Sequence, residues 1–259
     1  MFTRSKIKSV SLAGLFFLFL VSPALISSSN KGAAAVTGFT LNKDGLPVVE
    51  KSEAVRITEE ALSLYDSMHL SRFGLSKKAF EYAWTGYQKL LQVGKLNKKD
   101  VLSICDFSIS SKRRRLFILD LEEKKVLVST FVAHGRGSGG EYARSFSNNP
   151  ESHKSSLGFY VTRRTYYGDH GLSLKIEGLE KGINDLADER KIVIHGSDYV
   201  GSNYIRSAGY SGRSYGCPAV PKKDTEKVIK IIKGGSCLFI YHPKKDYLTK
   251  SRILNGFPG

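Results

Sequence analysis

The chain has 259 residues, and its 40 Lys and Arg against 24 Asp and Glu give a formal charge of +16. Apolar residues make up 41% and charged residues 25%, which excludes wholesale disorder. The glycines have no three-residue period, which excludes a collagen-like fibre, and three cysteines are too few for a disulfide-stapled scaffold. The length suits one domain, or one domain with a small appendage.

Residues 1–28 have the pattern of an export signal. Three basic residues precede an apolar run from Val10 to Ile26, and small polar residues follow it. The run is short for a transmembrane helix and contains Pro23 near its end, so a cleaved signal peptide is favoured over an uncleaved anchor. We therefore expect an exported protein, periplasmic or associated with the cell wall, with no integral membrane domain after signal cleavage.

The basic charge indicates the kind of partner. An exported basic protein is drawn to polyanions, so anionic cell-wall polymers are expected partners. Nucleic acid is the other usual partner of such charge. The sequence has neither an aromatic-interleaved basic stripe nor a helix-turn-helix pattern, so nucleic-acid binding is not expected.

The first predicted elements are helical. Residues 29–52 are mixed in composition and contain several glycines, which indicates a linker. The next segment has apolar residues at helical spacing, and either Ser52 or Thr58 can cap that helix. A second helix is expected to start near Phe80 and to end at Gly94. The two helices predict a small helical appendage over residues 53–98.

A domain rich in strands is predicted for residues 99–251, followed by a tail at 252–259. Short β-rich runs alternate with turn signals. The predicted strands are 116–119, 126–133, 158–161, 172–176, 192–194 and 237–241, with a further alternation at Phe107 and Ile109. One helix is predicted at 225–233, with Asp224 as its cap and Gly234 as its stop. Because strands dominate without alternating βαβ units, the predicted fold class is α+β.

The segment from residue 213 to residue 219 is the sharpest chemical feature. Pro218 favours an extended backbone at Cys217, and Gly216 lets another group approach the main chain closely. The main-chain N–H groups of Gly216 and Cys217 are candidates for an oxyanion hole. A thiol nucleophile needs a base, and His195, at the end of an apolar run and before a glycine, is the obvious partner. The alternative is a buried structural cysteine beside a strand-end histidine.

The other cysteines and histidines do not indicate a metal. Cys105 and Cys237 lie in apolar strand patterns and are expected to be buried thiols, with a disulfide between them as the alternative. The histidines are irregularly spaced, and the sequence has neither an H-E-x-x-H nor a C-x-x-C motif. We therefore expect neither a metal nor a cofactor.

Residues 135–140 match the pattern G-x-G-x-x-G. The residues after them do not open a convincing helix, so a dinucleotide site is not indicated. We interpret the segment as a flexible glycine loop over a site, with Arg136 available for a substrate carboxylate. A plain hairpin loop is the alternative.

Six motifs occur in one order between Asp106 and Leu248. They are VAHGRGSG at 132–139, FSNNP at 146–150, SSLGFY at 155–160, YYGDHG at 166–171, IVIHG at 192–196 and RSYGCPA at 213–219. In this order they resemble the catalytic domain of murein L,D-transpeptidases, the YkuD-type superfamily. The resemblance implies a β-rich sandwich or flattened barrel with its site at one mouth.

The resemblance also implies a reaction. Cys217 would be acylated by a peptidoglycan stem tetrapeptide with release of D-alanine, His195 would be the base, and the acyl group would pass to an amine acceptor. Stem peptides are then the implied partners, and no metal is implied. With water as the acceptor the enzyme would be an L,D-carboxypeptidase, and a wall-binding protein without turnover is the third possibility. A catalytic Cys217 is expected to alkylate with a pH profile below that of a free thiol.

The sequence departs from the family's pattern on both sides of the Gly-Cys pair, and after the cysteine it has Pro218 in place of an apolar residue. Most of the superfamily has a histidine before the Gly-Cys pair, whereas this chain has Tyr215, which cannot act as a second imidazole. The Ser-Tyr-Gly-Cys-Pro form resembles a branch of the family. It keeps the base His195 but does not indicate which acceptor receives the acyl group. The candidate substrate-binding residues are Arg136, Ser138, Tyr166, Tyr167, His170, Arg213, Ser214 and Tyr215, with ordinary surface roles as the alternative.

Overall fold

The structure is a computed structural model that describes residues 39–41, 47–49 and 51–256. Two short strands, β1 (Phe39–Leu41) and β2 (Pro47–Val49), pair antiparallel within the range predicted as a linker. The predicted signal peptide and the last three residues of the predicted tail lie outside the described residues. In the part of the chain that is described, no helix is long and apolar enough to cross a membrane.

Three helices precede the main sheet. They are α1 (Glu53–Ser67), α2 (Leu70–Phe73) and α3 (Lys77–Gln92). Of the two possible caps of α1, Ser52 is the one used, because its Oγ accepts a hydrogen bond from the N–H of Val55 at 3.4 Å. α3 begins earlier than its apolar pattern indicates, because Ser76 caps it in the same way. Gly94, with φ +66°, follows its end as predicted.

An eight-stranded mixed sheet forms the body of the protein. Its strands are β3 (Val101–Asp106), β4 (Leu116–Asp120), β5 (Lys125–Thr130), β6 (Gly158–Gly168), β7 (Gly171–Gly178), β8 (Val193–Ser197), β9 (Ala219–Pro221) and β10 (Cys237–Tyr241). The spatial order is β5-β4-β3-β10-β6-β7-β8-β9. Neighbouring strands are antiparallel except in the pairs β3–β10 and β8–β9. The N–H of Ala133 donates to the carbonyl of Ala219 at 2.8 Å, which joins the two edges into a nearly closed barrel. The predicted α+β, β-rich class is confirmed.

The remaining helices lie after β8. They are α4 (Ser202–Ala208), α5 (Thr225–Ile232), α6 (Lys245–Lys250) and α7 (Arg252–Asn255), the last within the range predicted as a tail. Asp224 occupies the N-cap position of α5 as predicted, but its carboxylate makes no capping hydrogen bond and accepts instead from the hydroxyl of Thr130 at 2.6 Å. The strand predicted around Phe107 is wrong, because Asp106 accepts from the N–H of Ser108 and turns the chain there.

The N-terminal helices share one apolar core with the sheet. Gly86 of α3 lies directly on the ring of Phe159 in β6, where a Cβ would come within 2.0 Å of the ring. The carboxylate of Asp106 accepts from the N–H of Ser76 at 3.3 Å, which ties the start of α3 to β3. The predicted appendage therefore packs on the sheet.

Cys105 and Cys237 are free and buried, as expected. In the pair β3–β10, Cys105 lies opposite Ile240 and Cys237 lies opposite Leu102. The two cysteines are therefore three positions apart along the strands, too far for a disulfide.

Candidate active site

The parallel pair β8–β9 brings the two predicted catalytic residues to one place. His195 of β8 lies opposite Ala219 of β9, two residues after Cys217. The Sγ atom of Cys217 accepts a hydrogen bond from the N–H of Val193 at 3.4 Å, and its thiol donates to the carbonyl of Lys191 at 3.6 Å. In this structure the thiol therefore bonds to the main chain leading into β8, and not to the imidazole.

One hydrogen bond sets the tautomer of His195. Its Nδ1 lies 2.9 Å from the carbonyl oxygen of Gly196. A carbonyl can only accept, so Nδ1 carries the hydrogen and Nε2 is left to take a proton. The ring of His170 stacks on the ring of His195, with centroids 4.3 Å apart.

The electrostatics keep both groups neutral at rest. Burial lowers the pKa of His195, and the nearby His170 lowers it further, against the Gly196 carbonyl that raises it. Burial raises the pKa of Cys217, while the Val193 N–H and the Arg190 guanidinium lower it to a smaller extent. Burial thus opposes the low-pH alkylation profile expected for a catalytic Cys217, and that profile stays a prediction. A neutral imidazole beside a neutral thiol is the arrangement that general-base catalysis requires.

A hydroxyl organises the turn that carries the thiol. Ser214 is buried, and its Oγ accepts from the N–H of Gly216 at 3.0 Å and donates to the carbonyl of Cys217 at 2.6 Å. Gly216 has φ +131°, a left-handed conformation that favours glycine. The Gly216 N–H, expected in the oxyanion hole, is thus engaged by Ser214. Of the two predicted donors, the Cys217 N–H is the one left to face an oxyanion.

Arg136 and Tyr215 meet on the exposed side of this turn. The guanidinium lies 4.4 Å from the centre of the Tyr215 ring, and its Nε donates to the Nδ1 of His153 at 3.2 Å. The His153 ring in turn contacts Tyr215, with centroids 4.7 Å apart. The sequence did not indicate His153 as a residue of this cluster, because it lies between two of the motifs. Its backbone has a left-handed φ, which a sequence does not show.

Arg213 lies on a groove next to this cluster. Its Nη1 donates to the carbonyl of Gly139 at 3.2 Å. Arg136 and Arg213 both line the groove, which has a volume of about 320 Å³. Its other walls come from Tyr199, Tyr204, Ala208, Tyr210, Ser211 and Gly212. The structure thus brings the two predicted substrate arginines to one concave surface.

The glycine loop is tied down at several points. The N–H of Arg136 donates to the carbonyl of Ser214 at 2.7 Å, and the N–H of Gly137 donates to the carbonyl of His153 at 2.8 Å. Ser138 is buried, and its Oγ accepts from the N–H of Ser155 at 2.9 Å. The loop is therefore a fixed wall of the site, and Ser138 faces the interior.

The hairpin β6–β7 holds the remaining candidates. His170 lies in its turn, and Tyr166 and Tyr167 lie at the end of β6. Tyr167 is 83% exposed and Tyr166 is 40% exposed. Of this group, the structure places His170 in contact with His195.

The buried His134 has a structural role. Its Nδ1 accepts from Nη2 of Arg115 at 2.7 Å, and burial lowers its pKa to about 3. Its main-chain carbonyl accepts from the N–H of Ser214 at 3.0 Å. Among residues 51–256, no three His, Cys, Asp or Glu side chains converge as a metal site would require.

The family can now be assigned. A family model described as the L,D-transpeptidase catalytic domain matches residues 72–241, which is more than half of the chain. The chain belongs to this family. The match begins before α3 and runs to the end of β10, so it includes a helix of the predicted appendage.

Solved structures give more distant similarities. An L,D-transpeptidase from Mycobacterium smegmatis is 11% identical, with a TM-score of 0.34 over 55% of this chain and 59% of that chain. The L,D-transpeptidases from Xylanimonas cellulosilytica and Stackebrandtia nassauensis are 13% and 12% identical, with TM-scores of 0.32 and 0.33. They are matched over 74% and 78% of this chain, and over 94% and 85% of their own chains. The chain thus spans about three fifths of the mycobacterial protein. No curated protein sequence matches it.

Proposed function

We propose that this protein is an exported, cysteine-dependent peptidoglycan L,D-transpeptidase. Its donor substrate is a stem tetrapeptide, which acylates Cys217 and loses its terminal D-alanine. The acyl group then passes to the amine of a second stem. Family membership supports the reaction class. The observation that carries the proposal is the β8–β9 pairing, which sets the Cys217 thiol beside the strand that holds the neutral His195.

The acylation step follows from the protonation states. His195 Nε2 takes the thiol proton while Sγ attacks the peptide carbonyl carbon, and a C–S bond forms. The carbonyl oxygen becomes an oxyanion that accepts from the Cys217 N–H. The imidazolium then gives its proton to the departing nitrogen as the C–N bond breaks, which releases D-alanine. Cys217 is left as a thioester.

Deacylation repeats the sequence with an amine. The neutral amine of a second stem attacks the thioester carbonyl and loses a proton to His195. The C–S bond then breaks, a new amide bond forms, and the proton returns to Sγ. The enzyme is restored to its thiol form, with no other reactant needed.

Substrate binding is assigned to the groove and to the hairpin. Arg136 and Arg213 line the groove and can pair with stem carboxylates through bidentate hydrogen bonds. Tyr215 packs on Arg136, and Tyr166 and Tyr167 are exposed at the end of β6, so these three rings are proposed to offer flat apolar contacts to the stem. The basic charge of the chain adds attraction to anionic cell-wall polymers.

Mass spectrometry with a disaccharide-tetrapeptide tests the proposal. The wild-type protein is expected to release D-alanine and form a cross-linked dimer, whereas Cys217→Ser is expected to form neither. Tripeptide without dimer would shift the assignment to an L,D-carboxypeptidase. The absence of both products and of any acyl adduct on Cys217 would favour a wall-binding protein.

A further inference from the structure

Arg190 is a half-buried cation in the turn that leads into β8. Its guanidinium donates four hydrogen bonds, all to the segment 147–156. The acceptors are the carbonyls of Ser147 (2.8 Å) and Lys154 (2.6 Å) and the hydroxyls of Ser156 (2.5 Å) and Ser152 (3.4 Å). None of the ion pairs among the described residues includes it. A half-buried positive charge without a carboxylate partner has lost part of its hydration, which is unfavourable and calls for an explanation.

The guanidinium lies against the turn that carries the thiol. A Cβ on Gly216 would be 3.2 Å from Nη2 of Arg190 and 2.9 Å from the Lys154 carbonyl that this same Nη2 binds. Gly216 therefore rests directly on the Arg190–Lys154 contact. The residues that follow Arg190 supply the two main-chain groups bonded to Sγ, the Lys191 carbonyl and the Val193 N–H.

We propose that Arg190 is a positioning residue for the reaction, which holds the segment 147–156 against Gly216 and supplies the positive charge that stabilises the Cys217 thiolate. The inference rests on the proposed function, because it takes Cys217 as the nucleophile. It adds a residue that lies outside all six motifs of the sequence.

The charge balance of the site supports this role. While the thiol is neutral, Arg190 has no counter-charge; when the proton moves to His195, the thiolate becomes that counter-charge. The influence is mutual, because Arg190 lowers the pKa of Cys217 and Cys217 raises the pKa of Arg190, each against a larger effect of burial.

Two phenols and two imidazoles also lie around the thiol and the guanidinium. Tyr199 faces Cys217 and Tyr160 faces Arg190, and burial raises the pKa of both phenols. His195 and the His170 ring stacked on it are the imidazoles on this side. Burial lowers the pKa of His195. Among these groups, Arg190 is the cation that lowers the pKa of Cys217.

The pH dependence of alkylation separates charge from packing. The full-length protein is treated with iodoacetamide, and modification of the Cys217 peptide is followed by mass spectrometry between pH 6 and pH 10. Arg190→Gln removes the charge and is expected to slow alkylation at pH 7 about tenfold and to move the profile to higher pH. Arg190→Lys keeps the charge and is expected to hold the profile near that of the wild type. Arg72→Gln, on the exposed surface of α2, is the matched control.

Ser156→Ala provides a second, milder test, because it removes one partner of Arg190 and keeps the cation. It is expected to leave the alkylation profile unchanged, with melting temperatures recorded for every variant. Equal slowing in Arg190→Gln, Arg190→Lys and Ser156→Ala would overturn the charge role and leave only loop packing. An unchanged profile in folded Arg190→Gln would overturn it as well.

The alkylation experiment and the tetrapeptide assay for turnover test separate claims. If the wild-type protein yields neither the products nor an acyl adduct on Cys217 with the tetrapeptide, the proposed function fails whatever the alkylation profile shows. If it forms the adduct while the profile ignores Arg190, the proposed function stands and the inference about Arg190 fails.

Discussion

The ring of His170 stacks on the ring of His195, with centroids 4.3 Å apart and planes inclined by 20°. Both burial and the nearby second imidazole lower the pKa of His195 below its usual 6.5. His170→Ala removes the neighbour and admits water, so the pKa of His195 should rise. A base works only when neutral, so activity is lost as the pH falls through this pKa. The ratio of D-alanine release at pH 6 to that at pH 8 should drop about two- to threefold.

His170→Phe is the matched control for that prediction. It keeps an aromatic ring over His195 and therefore keeps most of the burial, which is the larger cause of the pKa shift. In His170→Phe, activity should be lost at nearly the same low pH as in the wild type. The shift of this acid limb of the pH–activity profile should be smaller than in His170→Ala. An acid limb that moves to lower pH in His170→Ala would contradict this account.

Ser214→Ala should reduce turnover about tenfold with little effect on the fold. The hydroxyl bonds both the Gly216 N–H and the Cys217 carbonyl, so its loss frees the turn that aims the thiol. Ser214→Thr keeps the hydroxyl and should retain most of the activity. The melting temperature of Ser214→Ala should fall by about 4–8 °C, as expected for the loss of two hydrogen bonds of about 1 kcal/mol each in a domain of this size.

Steady-state release of D-alanine by Ser214→Ala and Ser214→Thr tests whether Ser214 organises the turn that carries the thiol. The structure also allows the opposite result, because removal of Oγ frees the Gly216 N–H to serve as a second oxyanion donor. A kcat for Ser214→Ala above that of the wild type would contradict an organising role. It would mean that Ser214 masks the Gly216 donor.

The sequence indicated which residues lie together at the candidate site better than it indicated their contacts. Cys217 and His195 could be found because a thiol between glycine and proline, and a histidine ending an apolar run, are local patterns. The direction of a hydroxyl is not local: Ser138 and Ser214 point into the protein, where each accepts from a main-chain N–H. Arg190 could not be found at all, because its partners lie more than thirty residues away along the chain.

The fold also separates into elements that local sequence patterns predict and elements that depend on contacts between distant residues. Periodicity and caps predicted the two longer N-terminal helices and most of β4, β7, β8 and β10. They missed β3, and they ended β6 at residue 161, whereas the strand runs to Gly168. β9, with three residues, is too short to show a period, and it is held by pairing with β8 and with Ala133. Asp224 is a residue type that commonly caps helices. In the structure its carboxylate instead accepts a hydrogen bond from the hydroxyl of Thr130 in β5, a contact between distant parts of the chain that a local pattern does not show.

Gly86→Ala should destabilise the protein by about 1–3 kcal/mol, the usual cost of overpacking a core. The new Cβ would meet the ring of Phe159 at 2.0 Å, between α3 and β6. Alanine favours a helix over glycine by about 1 kcal/mol, so the steric effect must exceed that gain. Chemical denaturation measures the difference, and the double variant with Phe159→Leu should recover part of the loss. Independent, additive effects of the two substitutions would contradict a direct contact between helix and sheet.

Glu180 should make stability depend on pH in an unusual direction. Its buried carboxylate accepts from the Phe159 N–H at 2.9 Å, from the Tyr247 hydroxyl at 3.1 Å and from the hydroxyl of Ser251. Burial raises the pKa of Glu180 above the usual 4.5, against these hydrogen bonds, which lower it. The fold therefore binds this proton more tightly than the unfolded chain does. The contribution is complete below pH 4.5 and is lost as the pH rises through the raised pKa.

Glu180→Gln isolates that contribution, because an amide does not titrate. The melting temperature of the wild type minus that of Glu180→Gln should be greatest in acid and should fall steadily toward neutral pH. Asp246→Asn, an exposed carboxylate on the same C-terminal helices, is the matched control and should show no such slope. A difference that grows as the pH rises would mean that the three hydrogen bonds outweigh burial. The carboxylate of Glu180 would then anchor α6 and α7 in its ionised form.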